Sequence, residues 1–225
     1  FKYEFEKGKP WSQEDLVAPF DYPVLKSTEE IALEKQELRD NKTLFLVRNS
    51  EIEASKRQSL ALALKKSYPE NDTLNERGVT GAQVQAFADS LLGEIYAVGI
   101  LEPFEHPLSE QFGEVLLKEA KLSEAVSLTR FYRIRAAASE IEKQCRQAFP
   151  GLGADLAKLI KTYLAYNISF DEGTTQKYLD NQITGVLATR GMVQKGELVI
   201  AKGNLIDEAR FWRLQSLKQS YEGSL

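Results

Sequence analysis

The sequence predicts an α+β fold that is predominantly helical, a central helical bundle joined to a small sheet built from the N- and C-terminal segments. Three observations predict it. Apolar residues recur three or four apart through the middle of the chain. Both ends carry short extended runs punctuated by glycine and proline. A hydrophobic content of 43% over 225 residues is ample for a buried core. The predicted organisation is one domain over 1–225: a β platform from 1–26 and 187–206, a mainly helical stretch over 27–186, and a C-terminal helix over 207–225.

Phe1, Tyr3 and Phe5 alternate with Lys2 and Glu4, the period of a half-buried strand, which Gly8 and Pro10 end. Pro19 and Pro23 restrict Leu16 to Leu25 to an edge strand or extended segment. Ser27 and Glu30 have capping-box spacing and predict a helix from about Thr28 to Arg39. Thr43 to Val47 reads as a strand, after which Asn49 or Ser50 caps a helix to about Lys66. Polar residues from Tyr68 to Gly78 form a loop. Beyond Thr80, Val84, Phe87, Leu91, Ile95 and Val98 make a helical stripe.

After Pro103 and Pro107, the stretch Phe112 to Phe149 predicts one long helix, or two joined near Leu122 to Leu128, with Phe131, Ile134, Ala138, Ile141 and Cys145 on one face. Pro150 and Gly151 stop it, and Leu156, Leu159, Ile160 and Tyr163 begin another. A helix from about Thr174 to Val186 precedes two Lys-Gly turns, Lys195-Gly196 and Lys202-Gly203, that bracket a strand. Asp207 caps the final helix, striped by Phe211, Leu214, Leu217 and Tyr221. Gly8, Gly196 and Gly203 each follow a lysine at a turn, where a positive φ is expected.

The chemistry-bearing residues are few. A net charge of −4 with no basic block argues against a nucleic-acid partner. His106 is the single histidine, so every metal site needing two is excluded, and no Gly-x-Ser-x-Gly elbow exists to pair with it. Cys145 cannot form an internal disulfide and lies on an apolar helix face, the setting of a structural thiol. Glu29-Glu30 and Asp171-Glu172 flank helix starts, where compensation of the helix dipole accounts for them. Arg130, Arg133 and Arg135 interleave with Phe131 and Tyr132; a solvated helix face is favoured over an anion clamp. Gly151 and Gly153 lack the strand and lysine of a phosphate loop. No catalytic residue, cofactor site or metal ligand is expected in this chain. No apolar run approaches the about 18–20 residues of a membrane span, and the lack of an initiator methionine and signal pattern suggests that an upstream segment has been removed.

Two segments resemble a known family. The first is Lys7-Gly8-Lys9-Pro10-Trp11-Ser12-Gln13-Glu14-Asp15-Leu16-Val17-Ala18-Pro19-Phe20-Asp21-Tyr22-Pro23-Val24; the second runs from Asn167-Ile168-Ser169-Phe170-Asp171-Glu172 to Gly191-Met192-Val193-Gln194-Lys195-Gly196-Glu197-Leu198-Val199-Ile200 and Lys202-Gly203. They are similar to the extracellular domain of the seven-transmembrane HD receptors, bacterial membrane proteins with an intracellular HD phosphohydrolase domain. The resemblance carries over a scaffold, with Gly8, Pro10, Asp15, Pro19, Asp21, Gly191, Gly196 and Gly203 as its structural motif, and no ligand site.

The resemblance implies one membrane helix before Phe1, seven after Leu225, and then the HD domain. Similar proteins are associated with hydrolysis of cyclic di-AMP by that intracellular domain. The expected role is therefore a non-catalytic, extracytoplasmic sensory domain, periplasmic or extracellular, tethered by flanking helices, with an unknown ligand or protein partner. An envelope module that docks a protein or cell-wall polymer without signalling is the alternative. Since both ends would run to one membrane, Phe1 to Phe5 or Leu16 to Leu25 is expected to join a sheet with Met192 to Ile200.

Overall fold

The structure, a computed structural model, describes residues 1–74, 78–104, 113–119 and 122–223. Among the described residues, seven α-helices and eight short strands fall into two compact units. One unit comprises Phe1–Asp40 and Asp180–Leu225, and the other is Asn41–Leu179, an insertion between the two halves of the first. The fold is α+β and predominantly helical.

In the terminal unit, β1 (Leu16–Val17) pairs antiparallel with β8 (Leu198–Ile200), and β2 (Tyr22–Leu25) with β7 (Thr189–Val193). Of the two N-terminal segments expected to pair, Leu16 to Leu25 is the one that does. Phe1 to Phe5 forms no strand. Its alternation has another cause: Phe1 packs on Tyr221, Tyr3 on Trp11 and Phe5 on Phe211, so an extended segment is held by its side chains with no backbone ladder. Helix α1 (Thr28–Asp40) starts where the Ser27 hydroxyl accepts from Glu30 N–H at 3.0 Å. Helix α7 (Glu208–Gly223) is capped by Asp207, whose Oδ1 accepts from Arg210 N–H at 2.8 Å. Trp11, Tyr22, Val193, Ile200, Leu214 and Leu217 form the core between the strands and α7.

The inserted unit contains α2 (Ser50–Ser67), α3 (Gly81–Val98), α4 (Ile134–Ala148), α5 (Gly153–Lys161) and most of α6 (Glu172–Thr184). Asn49 caps α2, and Thr80 with Gln83 makes a full capping box on α3. Leu60, Leu64, Leu91, Ile95, Ile141 and Ile160 lie at the centre of the helical core. A four-stranded sheet of order β5-β4-β3-β6 completes the unit: β3 (Leu44–Arg48), β4 (Val115–Glu119), β5 (Leu122–Ala125) and β6 (Ile168–Phe170).

This sheet corrects the reading of Phe112 to Phe149. Among the described residues of that stretch, helix occupies only Ile134–Ala148, with Ala137 rather than Ala138 on its buried face, and residues upstream form β4, β5 and the short 3₁₀ turn Leu128–Arg130; Phe112 itself lies outside the described residues. Leu116, Leu117, Lys118 and Glu119 are good helix formers locally. The parallel edge of β3 gives them a ladder, with Leu44 opposite Val115 and Leu46 opposite Leu117, and the inward face of that ladder joins the core of Leu46, Leu101, Phe131 and Ile168. Tertiary pairing outweighs a propensity of a few tenths of a kcal/mol per residue.

Candidate functional site

The residues singled out as a motif come together in the terminal unit, where they join the start of the chain to its end. Three turns have the same construction: Glu6-Lys7-Gly8-Lys9, Gln194-Lys195-Gly196-Glu197 and Ala201-Lys202-Gly203-Asn204. Each is closed by an N–H to carbonyl bond across four residues, at 3.2, 3.0 and 3.1 Å. The third residue has φ of 84°, 88° and 81°, as a type II turn requires of that position, where a Cβ is strained.

The turned backbone is presented to the opposite segment. Gly8 N–H donates to Ile206 O, Gly196 N–H to Ala18 O and Gly203 N–H to Trp11 O, each at 2.8 Å. Two aspartates complete the clasp: Asp21 Oδ1 accepts from Lys195 N–H at 2.7 Å, and Asp15 Oδ1 from Lys202 N–H at 2.8 Å. Return bonds run from Ala18 N–H to Glu197 O and from Trp11 N–H to Asn204 O, both at 2.8 Å. Pro10 lies opposite Leu205 in an isolated bridge, and Pro19 lies exposed between β1 and β2. Gly191, at φ 154°, faces Val24 beside a register shift that leaves Arg190 as an extra residue, and the Arg190 guanidinium pairs with Glu30 of α1 at 2.5 Å. Sequence reasoning identified the glycines through their turn chemistry; the aspartates' role as acceptors for turn amides was not readable, because their donors are more than 170 residues away.

Helix α7 is fastened to the same clasp. Leu25 N–H donates to the Ser216 hydroxyl at 2.8 Å, and that hydroxyl donates to Trp212 O at 2.6 Å. Beneath lies Tyr22, fully buried, its hydroxyl without a hydrogen-bond partner among the described residues. Burial pushes the Tyr22 phenol up to about 12, with the nearby Arg213 guanidinium opposing the shift. Arg213 is itself paired with Glu197, whose carboxyl is held below its usual range first by the Gln194 N–H and then by Arg213.

The inserted unit holds the remaining sequence candidates. Cys145 is fully buried, and burial pushes its thiol up to about 11, away from thiolate reactivity. Arg130, Arg133 and Arg135 are exposed while Phe131 sits in the core, but they share no helix face: Arg130 ends the 3₁₀ turn, where its guanidinium bonds Glu124, and Arg133 precedes α4. Asp171 caps α6: its carboxylate accepts from Thr174 N–H at 2.9 Å and Thr174 Oγ1 at 2.6 Å, which hold its carboxyl below the usual range. A Cβ on Gly153 would lie 2.2 Å from Cys145 O, so this glycine lets the start of α5 approach the end of α4, while Gly151 turns the chain at φ 93°. His106 lies outside the described residues.

Two features had no sequence signal. Asn167, 2% exposed, accepts from Ile100 N–H at 2.7 Å and donates to Tyr96 O at 3.0 Å, tying β6 to the end of α3. Arg57 on α2 grips Asp89 on α3 through two hydrogen bonds of 2.9 and 2.6 Å beside an open groove of about 570 Å³ that Ser50 and Gln58 also line. Among the described residues no cluster of histidine, cysteine and carboxylates is arranged to hold a metal, and no helix is long and apolar enough to cross a membrane.

No curated protein and no solved structure matches the chain. A family described as 7TM-HD extracellular matches residues 11–220, a span that takes in the motif residues of the clasp from Asp15 to Gly203 and the whole inserted unit. The chain therefore belongs to the 7TM-HD extracellular family, the non-catalytic extracellular domain of seven-transmembrane HD receptors.

Proposed function

We propose that the chain is the sensory domain of a membrane-bound HD-type phosphohydrolase, and that it regulates cyclic di-AMP hydrolysis by an intracellular domain outside this sequence. One observation carries the reading. The first and last segments are bonded into one clasp, with the Phe1 ring 5.9 Å from that of Tyr221, the arrangement required of a domain whose two ends return to a single membrane. Flanking helices would tether it, and an extracytoplasmic ligand or protein would bind the inserted unit. Such binding acts only through its differential affinity for two arrangements of the receptor. Deleting residues 41–179 from the full-length receptor should change phosphodiesterase activity between growth conditions. Activity unchanged under every condition tested, with the variant present in the membrane, refutes a sensory role.

A second reading, docking of an envelope protein or cell-wall polymer without signalling, is favoured by one observation. Two clefts among the described residues of the inserted unit are open grooves along α2 and α3, and its helical core is lined by apolar side chains. A fixed partner in pull-downs together with constant phosphodiesterase activity selects this reading.

A further inference from the structure

The terminal unit contains a cleft of about 390 Å³ at the point where the chain's two ends meet. Phe1, Lys2, Tyr3, Val17, Pro19 and Tyr221 line it, and no carboxylate does. Val17 is 47% exposed and Tyr221 37%, and exposed apolar side chains carry meaning where they are contiguous. The patch extends beyond the cleft: Leu198, opposite Val17 in the β1–β8 pair, is 48% exposed. Phe20 packs on Tyr221 with ring centroids 5.1 Å apart, and the Lys2 ammonium lies 5.2 Å from the Tyr3 ring centroid.

We propose that this cleft is a membrane-docking surface whose partner is the headgroup interface of an anionic phospholipid bilayer. The proposal rests on the reading that both ends of the chain continue into membrane helices. On that reading the cleft lies where the two ends of the chain leave the terminal unit, because Phe1 and Tyr221 both line it. Its chemistry fits that position. Phenylalanine and tyrosine rings settle at the level of the headgroups, where an apolar body and a polar tip are both satisfied. Lys2 lines the cleft and supplies the positive charge that anionic headgroups attract. The surface thus gives the clasp a fixed seating on the bilayer.

The test uses the chain with its native flanking segments, reconstituted into phosphatidylglycerol and phosphatidylcholine vesicles. Cysteines are introduced singly by Val17→Cys, Tyr221→Cys and, as a reference on α2, Leu62→Cys; Leu62 is 67% exposed, whereas native Cys145 is buried and stays unlabelled. Each is labelled with an environment-sensitive fluorophore. Labels at 17 and 221 should be quenched by headgroup-nitroxide lipid and the label at 62 should not, and Lys2→Glu should reduce the quenching in phosphatidylglycerol vesicles. Two labelled positions keep the result readable if one variant misfolds. Insertion into vesicles with equal quenching at all three positions overturns the docking surface and leaves the sensory reading standing. Failure of the flanking segments to insert overturns both. Disulfide-linked dimers of Tyr221→Cys at the expense of lipid quenching overturn the proposal by assigning the cleft to a second copy of the chain.

Discussion

Gly196→Ala isolates the conformational role of the clasp turns, because space is not at issue: a Cβ there would meet nothing within 4 Å. With φ at 88°, the methyl group costs only backbone strain, about 1–3 kcal/mol for a non-glycine residue at positive φ. Alanine also restricts the unfolded chain, which offsets about 0.4–1 kcal/mol. The expected net loss is therefore about 1–2 kcal/mol, and Gly196→Asn should lose less, since asparagine tolerates the left-handed region. The two tryptophans of the chain, Trp11 and Trp212, both belong to the core of the terminal unit, so intrinsic fluorescence follows that unit's unfolding. Thermal unfolding followed by tryptophan fluorescence should show Tm lowered by about 4–8 °C per kcal/mol for a unit of this size. An unchanged Tm for Gly196→Ala, or asparagine costing more than alanine, refutes the assignment of this turn.

Asn167→Ala strands the buried Ile100 N–H and should cost about 2–4 kcal/mol; circular dichroism in urea should show the loss in a transition to which tryptophan fluorescence is blind, since both tryptophans lie in the other unit. Tyr22→Phe removes a buried hydroxyl that has no partner and is expected to be neutral or stabilising by up to about 1 kcal/mol in the fluorescence-monitored melt. Asp171 and Asp89 have folded-state carboxyls below their unfolded values, held there first by Thr174 and by Arg57 respectively. Their contribution is thus present above the ordinary carboxylate range and lost as pH falls through the lowered values. Circular dichroism melts should show the inserted unit losing stability below about pH 4, and Asp171→Asn should flatten that decline.

Helices with local stop and start signals were legible in the sequence. Ser27, Asn49 and Asp207 cap helices that begin within a residue or two of them, because a cap is satisfied by amides two or three positions away. The clasp turns were legible for the same reason, since a lysine-glycine pair carries its own backbone requirement. The hairpin of β4 and β5 was not, because its strand character comes from β3, some 70 residues earlier, and the Leu-Leu-Lys-Glu run viewed alone favours helix. Asn167 was invisible too: a polar residue beside an apolar run marks a hub only when Tyr96 and Ile100 are seen to surround it.

On the proposed sensory reading, the clasp also constrains how a signal would be transmitted. Pulling its two ends apart would break the glycine, aspartate and return bonds together, and at about 0.5–1.5 kcal/mol each their sum exceeds the about 1–3 kcal/mol of coupling that a ligand typically supplies. Opening the clasp is therefore too costly to be the output, and the terminal unit should move as one piece. Pro23 and Met192, both exposed and outside the docking cleft, are register partners in the β2–β7 pair, where facing Cβ atoms lie about 4.5–5.5 Å apart, close to disulfide distance. Pro23→Cys with Met192→Cys, oxidised in the full-length receptor, should then preserve the response of phosphodiesterase activity to growth conditions. If oxidation fixes that activity at one level and reduction restores the response, the clasp must open to signal, and the energetic argument for a rigid terminal unit is wrong.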